Sequence, residues 1–277
     1  MWIDMIVAIC LLSAVALGAL LWRLSIQGRT NHPKISSLKG FSYAHRGLHG
    51  DGVPENSMAA FRRSLAHGFG IELDIHLLAD GQLAVIHDSV LMRTTGKEGR
   101  VEDLTAEQLA EYRLEGTEET IPLFRDVLAL YAGKAPLIVE LKTCQNNYAA
   151  LTEAACKLLE GYEGAWCLES FDPRCLFWLR KHRPQVLRGQ LSENYLKKAP
   201  AQVKVPLWLK WIMTKNMANF LTKPDFIAYR YADRQNTVSN RICMKRMVGV
   251  SWTLRSQEEY DTAVSEGWLP IFEGFLP

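Results

Sequence analysis

The chain has 277 residues, 48% of them hydrophobic, and a formal net charge of +2. That apolar content argues against disorder and suffices for a sizeable core, in one large α/β domain or two small ones. So small a charge, with no basic run interleaved with regularly spaced aromatics, gives no indication of a nucleic-acid partner.

From Met5 to Trp22 every residue is apolar except Ser13, close to the roughly 20 residues that cross a bilayer core. Residues 1–22 are therefore predicted to be a transmembrane anchor. Asp4 precedes the apolar run where a signal peptide carries basic residues, and Cys10 has too short an apolar run before it for a lipoprotein site. Arg23, Arg29, Lys34 and Lys39 follow the run, so the positive-inside rule predicts a single-pass protein with the remainder in the cytoplasm. Six cysteines, Cys10, Cys144, Cys156, Cys167, Cys175 and Cys243, show neither zinc spacing nor a compact disulfide pattern. This suits a reducing compartment, with most of them serving as small core residues.

Residues 23–40, polar and carrying Gly28, Ser36, Ser37 and Gly40, are expected to form a linker lifting a domain off the membrane. The domain, 41–277, opens with a strand over Phe41–Ala44 and a helix over Ser57–His67. Ile71–Leu77 reads as a strand turned at Asp80-Gly81 into Leu83–His87. Pro136–Leu141 precedes a helix over Tyr148–Leu159, and Ala165–Leu168 precedes one over Pro173–Lys181. Val186–Leu191 and Phe226–Tyr229 read as strands, followed by a helix over Val238–Met247. Val248–Leu254, a helix over Gln257–Ser265 and Leu269–Phe272 complete the series. About eight strands alternating with helices predict a (β/α)8 TIM-type barrel rather than a doubly wound sheet.

One connection is out of scale. Residues 192–224 run to roughly thirty, against about 2 to 6 in ordinary α/β loops. Within them Trp208, Trp211, Met213, Met217 and Phe220 are interspersed with Lys197, Lys198, Lys204, Lys210, Lys215 and Lys223. The pattern suits an interfacial helix on anionic lipid, or equally a barrel insertion with a lysine-bearing solvent face. Following a strand, it is expected over the catalytic face, where it would guide a lipid-derived headgroup.

Alternation along Ile71–Leu77 should project Glu72, Asp74 and His76 from one face. Glu140, ending another strand, makes a third acid, and a hard oxygen-ligand set of this kind favours Mg2+ or Ca2+ over zinc. Glu169 also stands at a strand's carboxyl end. His45 and His87 are the candidate acid–base pair, since imidazole takes and gives protons near neutrality. Arg46 follows the first and could offset phosphate charge; Asp88 follows the second and could fix its tautomer. Lys142, two residues beyond Glu140, supplies another positive charge. No Gly-x-Ser-x-Gly elbow, phosphate loop or dinucleotide fingerprint occurs.

Taken together, His45-Arg46-Gly47, Pro54-Glu55-Asn56-Ser57, Gly70-x-Glu72-x-Asp74, Asp80-Gly81, His87-Asp88, Arg93-Thr94-Thr95-Gly96 and Glu140-x-Lys142 resemble the glycerophosphodiester phosphodiesterase family. The resemblance implies a (β/α)8 barrel that hydrolyses a glycerophosphodiester to an alcohol and glycerol 3-phosphate with one divalent ion. It implies His45 and His87 as the acid–base pair, with Glu72, Asp74 and Glu140 as metal ligands. Arg46 and Lys142 become phosphate contacts, Glu55 a further site residue and Trp252 an aromatic at the barrel mouth. Which histidine is the base, and whether water or the substrate's own hydroxyl attacks, stay open.

The resemblance weakens at the carboxyl end, where Gly267-Trp268-Leu269-Pro270-Ile271-Phe272-Glu273-Gly274 replaces the family's usual close. A lysophospholipase D or sphingomyelinase D-like enzyme on the same barrel is the neighbouring reading, with lysophospholipid as substrate. A non-catalytic, membrane-tethered binder of phospholipid headgroups is the reading from another class. No protein partner is evident.

Overall fold

The computed structural model describes residues 1–198, 205–236 and 238–277. Its elements begin with α1 (Trp2–Ser25), β1 (Tyr43–His45), α2 (Met58–Ala66), β2 (Gly70–Leu77), β3 (Leu83–Val85), α3 (Met92–Thr95) and α4 (Phe124–Tyr131). Next come β4 (Leu137–Leu141), α5 (Tyr148–Leu159), β5 (Trp166–Ser170), α6 (Pro173–His182), β6 (Arg188–Ser192), α7 (Leu207–Thr214) and α8 (Asn219–Thr222). The chain closes with β7 (Phe226–Arg230), α9 (Val238–Met244), β8 (Val248–Leu254), α10 (Gln257–Ser265) and β9 (Trp268–Phe272).

Eight parallel strands close in the order β1, β2, β4, β5, β6, β7, β8, β9, with β9 pairing back onto β1. This is the expected TIM-type barrel. β3 is not one of its staves. The turn at Asp80-Gly81, with Gly81 at φ +82°, reverses the chain so that β3 runs antiparallel to β2, and His87 lies beyond it in a loop. The helix α4 had no counterpart in the sequence reading, although its buried Phe124, Val127, Leu128 and Tyr131 follow helical spacing.

The two-residue period of the staves separates two cores. Tyr43, Ile138, Cys167, Phe226, Ala228, Val250 and Ile271 fill the barrel interior. Leu73, Ile75, Val139, Leu141, Leu168 and Ile227 pack outward among the helices. Glycine makes room for the interior rings: a Cβ on Gly189 would lie 2.0 Å from the Phe226 ring. Continued toward the carboxyl ends, the inner row reaches His45, Glu72, Asp74, Glu140 and Glu169. Register places His45 beside Glu72, Asp74 beside Glu140, and Glu140 beside Glu169.

The helix α1 spans 24 residues with none buried, long and apolar enough to cross a membrane. The stretch after it is packed against the barrel rather than free, unlike the expected linker. Arg29 holds Asp225 through Nε at 2.6 Å and Nη2 at 2.7 Å, and its backbone N–H donates to the Pro224 carbonyl. Asn219 Nδ2 donates to the Ile26 carbonyl at 3.0 Å, and His32 Nε2 to that of Gln185 at 3.1 Å. Leu38 is fully buried in the interior core, and its carbonyl accepts from the Tyr43 hydroxyl at 2.6 Å. Polar composition concealed this because few apolar residues do the packing: Ile26 and Leu38, fully buried, and Ile35, partly buried. All these contacts fall on residues leading into β1, β6 and β7, the barrel face opposite its carboxyl ends.

Candidate active site

At the carboxyl ends of the staves an open cavity of about 720 Å³ is lined by His87, Asp88, Arg93, Glu140, Lys142 and Phe171, among others. Glu140 on β4 and His87 in the loop after β3 line it, while His45 on β1 and Glu72 and Asp74 on β2 belong to the same inner row without lining it. Ligand atoms of Glu72, Asp74 and Glu140 all lie within 4.8 Å of one another, and all three residues are buried. The cluster expected from the sequence is therefore assembled.

The two imidazoles are mounted alike. His45 Nδ1 lies 2.6 Å from Glu273 Oε2, and His87 Nδ1 lies 2.6 Å from Asp88 Oδ1. His45 Nε2 faces the acids, 3.8 Å from Glu72 Oε2. Burial lowers the His87 pKa to about 4 despite the opposing pull of Asp74. Burial likewise lowers that of His45, against its hydrogen bond to Glu273. In both rings burial favours the neutral form, while the carboxylate at Nδ1 favours the charged one.

Charge is concentrated among the acids. Burial, then Asp74 and Glu140, push the Glu72 carboxyl well above its usual range. Burial raises Glu140 to about 7 even though Lys142 opposes it. Burial would raise Asp74 too, but Lys142, His87 and Arg46 hold it well below the ordinary value. Lys142 Nζ sits 3.2 Å from Asp74 Oδ1 and 3.1 Å from Glu140 Oε1. Asn56 Nδ2 donates to Asp74 Oδ2 at 2.9 Å, while its Oδ1 is buried without a partner. On the neighbouring stave Glu169 is buried, its Oε2 unpartnered, and burial with Glu140 drives its carboxyl upward.

Arg46 takes a left-handed backbone, φ +55°, as does Asn56 at +52°. Such conformations in residues other than glycine concentrate at functional sites. They let Arg46 present Nη1 to Glu55 Oε1 at 2.9 Å and Nε to Asp74 Oδ2 at 3.5 Å. Glu55 is shared with Arg93 Nη2 at 2.6 Å, and Arg93 also pairs with Asp88. Burial would raise the Glu55 carboxyl, but Arg93 and Arg46 lower it.

His76 shares the β2 face with the acids but serves another contact. Its Nε2 donates to the His87 carbonyl at 3.2 Å, and its Nδ1 faces Glu102 Oε1 at 2.8 Å. Glu102 Oε2 in turn accepts from Ser89 at 2.6 Å. Trp252 packs edge-on against Phe171, ring centres 5.5 Å apart, with its Nε1 buried and unpartnered. Phe171 lines the cavity and Trp252 does not.

Glu273, Asn56, Arg93 and Glu102 carry site geometry that residue-by-residue sequence reasoning did not assign. The available signals were the Pro54-to-Ser57 motif for Asn56, the Arg93 motif, and for Glu273 the unusual final strand. Nothing local marked Glu102.

The insertion differs from expectation. None of its described residues lines the mouth cavity; α8 packs on α6 and α7 on the turn Tyr195–Lys197, leaving a groove between α6 and α7. Lys210 is buried and reaches the Lys198 carbonyl rather than facing solvent, whereas Trp208 and Trp211 are exposed. Residues 199–204, with Lys204, lie outside the described residues.

A barrel that brings two acid-backed imidazoles, a cluster of oxygen ligands and fixed cations to its carboxyl rim has the layout of a hydrolase for anionic esters. More specifically, the chain belongs to the glycerophosphoryl diester phosphodiesterase family, whose sequence model matches residues 45–272. A glycerophosphodiester phosphodiesterase of Bacillus altitudinis is 35% identical over 178 residues, covering 58% of this chain and 72% of its own. Glycerophosphodiester phosphodiesterase 1 of Rattus norvegicus is 28% identical over 251 residues, covering 78% and 72%. The fold is shared with an Oleispira antarctica phosphodiesterase solved with the product sn-glycerol-3-phosphate. Its TM-score is 0.67 at 20% identity, over 84% of this chain and 92% of that one. The chain is thus an enzyme of the glycerophosphodiester phosphodiesterase class.

Proposed function

We propose that the protein is a single-pass, membrane-anchored enzyme that hydrolyses glycerophosphodiesters to an alcohol and glycerol 3-phosphate with one divalent cation, Mg2+ or Ca2+. The observation that carries this reading is the mounting of His45 and His87, each on its own carboxylate, around the buried Glu72, Asp74 and Glu140. These residues fit a hard cation: three buried acids crowd one point, burial drives two of them toward neutrality, and the Asn56 Oδ1 oxygen beside them has no partner. Once bound there, such an ion offsets phosphate charge and orients the diester.

Arg46 and Lys142 offset the remaining phosphate charge, and Glu55 orients Arg46. One imidazole accepts the proton of the attacking oxygen as its bond to phosphorus forms. The other gives its proton to the alcohol oxygen as that oxygen's bond to phosphorus breaks. Glu273 and Asp88 hold the two rings in orientation. Arg23 in the last turn of α1, with Arg29, Lys34 and Lys39 beyond it, supports a cytoplasmic catalytic domain.

A second reading, hydrolysis of a lysophospholipid in the same site, is favoured by the exposed Val90 and Met92 on the cavity wall. An acyl-bearing alcohol portion would rest there. Soluble glycerophosphodiesters and lysophospholipids assayed with each divalent ion after chelation separate the two. His45→Ala and His87→Ala are each expected to lower turnover about 10²- to 10⁴-fold. Near wild-type turnover by either folded variant would remove the acid–base assignment.

A further inference from the structure

Outside the mouth, the most unusual surface is a groove of about 760 Å³ between α6 and the α7–α8 pair. Phe177 on α6 and Phe220 and Leu221 on α8 line it and stand in solvent, and Leu207, Trp208 and Trp211 on α7, outside its lining, are exposed as well. Trp208 is 65% exposed and Phe220 47%, values that a soluble surface seldom concentrates in one place. The lining includes Arg174, Lys181 and His182 and contains no carboxylate. Trp208 and Trp211 on α7 and Lys215 at its C-cap fall three and four residues apart, so they share one helical face.

Ser25, the last residue of α1, lines the same groove. The apolar flank therefore begins where α1 leaves the domain. It continues along α6 from His182, at the amino-terminal side of the barrel, to Pro173 and Arg174 beside the carboxyl rim.

We propose that this flank is a bilayer-docking surface that seats on anionic phospholipid, a proposal resting on α1 as a membrane helix. Tryptophans at headgroup depth, apolar side chains below them and lysines and arginines toward anionic headgroups are the arrangement an interface selects. The consequence concerns the mouth. Because α1 joins the barrel at the face opposite the active site, the anchor alone would hold the mouth away from lipid. Docked along its flank, the barrel lies on its side, and the mouth opens along the membrane surface within reach of interfacial diesters.

The test uses the full chain with Cys10→Ala and Cys144→Ala, the two cysteines that are not buried. An environment-sensitive dye is attached at Trp208→Cys, Phe220→Cys, Val15→Cys in α1, or Arg62→Cys on the opposite flank. Each protein is reconstituted into phosphatidylcholine vesicles with or without phosphatidylglycerol, carrying headgroup-proximal nitroxide lipid. Quenching at 208 and 220 several-fold above that at 62, and stronger with phosphatidylglycerol, is expected. Quenching at 15 with only background at 208 and 220 keeps the anchor and overturns the docking flank, as does dye–dye self-quenching between chains at 220 in place of lipid quenching. Background at every position overturns both. Turnover of soluble diesters is not read, so the outcome leaves the catalytic assignment untouched.

Discussion

With Nδ1 of each ring facing a carboxylate, Nε2 is the nitrogen through which the proposed proton transfer would run in both His45 and His87. Glu273→Gln keeps the shape but removes the charge that orients His45. It is expected to lower kcat about tenfold or more with little change in KM or in the folded state; unchanged kcat would deny Glu273 that role. Glu102 acts one residue further out, through His76 onto the His87 carbonyl. Burial would raise its carboxyl, but hydrogen bonds from His76 and Ser89 bring it from 4.5 down to about 2. Its contribution to stability is complete above about pH 4.5 and disappears as pH falls toward 2. Glu102→Gln should therefore show a flatter loss of stability across that acid range than the wild type. Parallel acid-unfolding curves for the two proteins would contradict this.

At the scale of elements, the docked segment after α1 is where local reading and structure part most clearly. Gly28, Ser36, Ser37 and Gly40 resemble a spacer, yet Arg29 is the bidentate partner of an Asp225 that is only 1% exposed. Arg29→Ala leaves that carboxylate largely uncompensated and is expected to cost about 3 kcal/mol, measured as a shift in the denaturation midpoint. A change below about 0.5 kcal/mol would return the segment to spacer status. The hairpin strand β3 has the composition of a stave, and only the tight turn before it sends it antiparallel. Lys210 and Lys215 look alike in sequence; Lys210 is buried with its Nζ on the Lys198 carbonyl, where α7 packs against the turn Tyr195–Lys197, while Lys215, the C-cap, lies on the face shared with Trp208 and Trp211.

For the molecule as a whole, a divalent ion held by the crowded acids would couple its binding to folding. A cation at a hundredfold excess over its Kd stabilises the folded state by about 2.7 kcal/mol. For a chain of this size that is a Tm change of about 5–10 °C. Chelation should therefore lower Tm and either ion restore it, with the response lost in Glu140→Gln. A Tm indifferent to chelator would remove Glu72, Asp74 and Glu140 as ligands.

The order of motifs from His45 to Lys142 and the alternation of strands and helices determined the barrel, the family and most of the inner acid row. Those are properties of neighbours in the chain: a two-residue period decides which side chains share a face wherever the strand lies. Barrel closure decided the rest. Glu273 reaches His45 across 228 positions because β9 pairs with β1, and Arg29 reaches Asp225 across 196. Such pairings follow from which ends the fold brings together, and that is set by the packing of every stave at once.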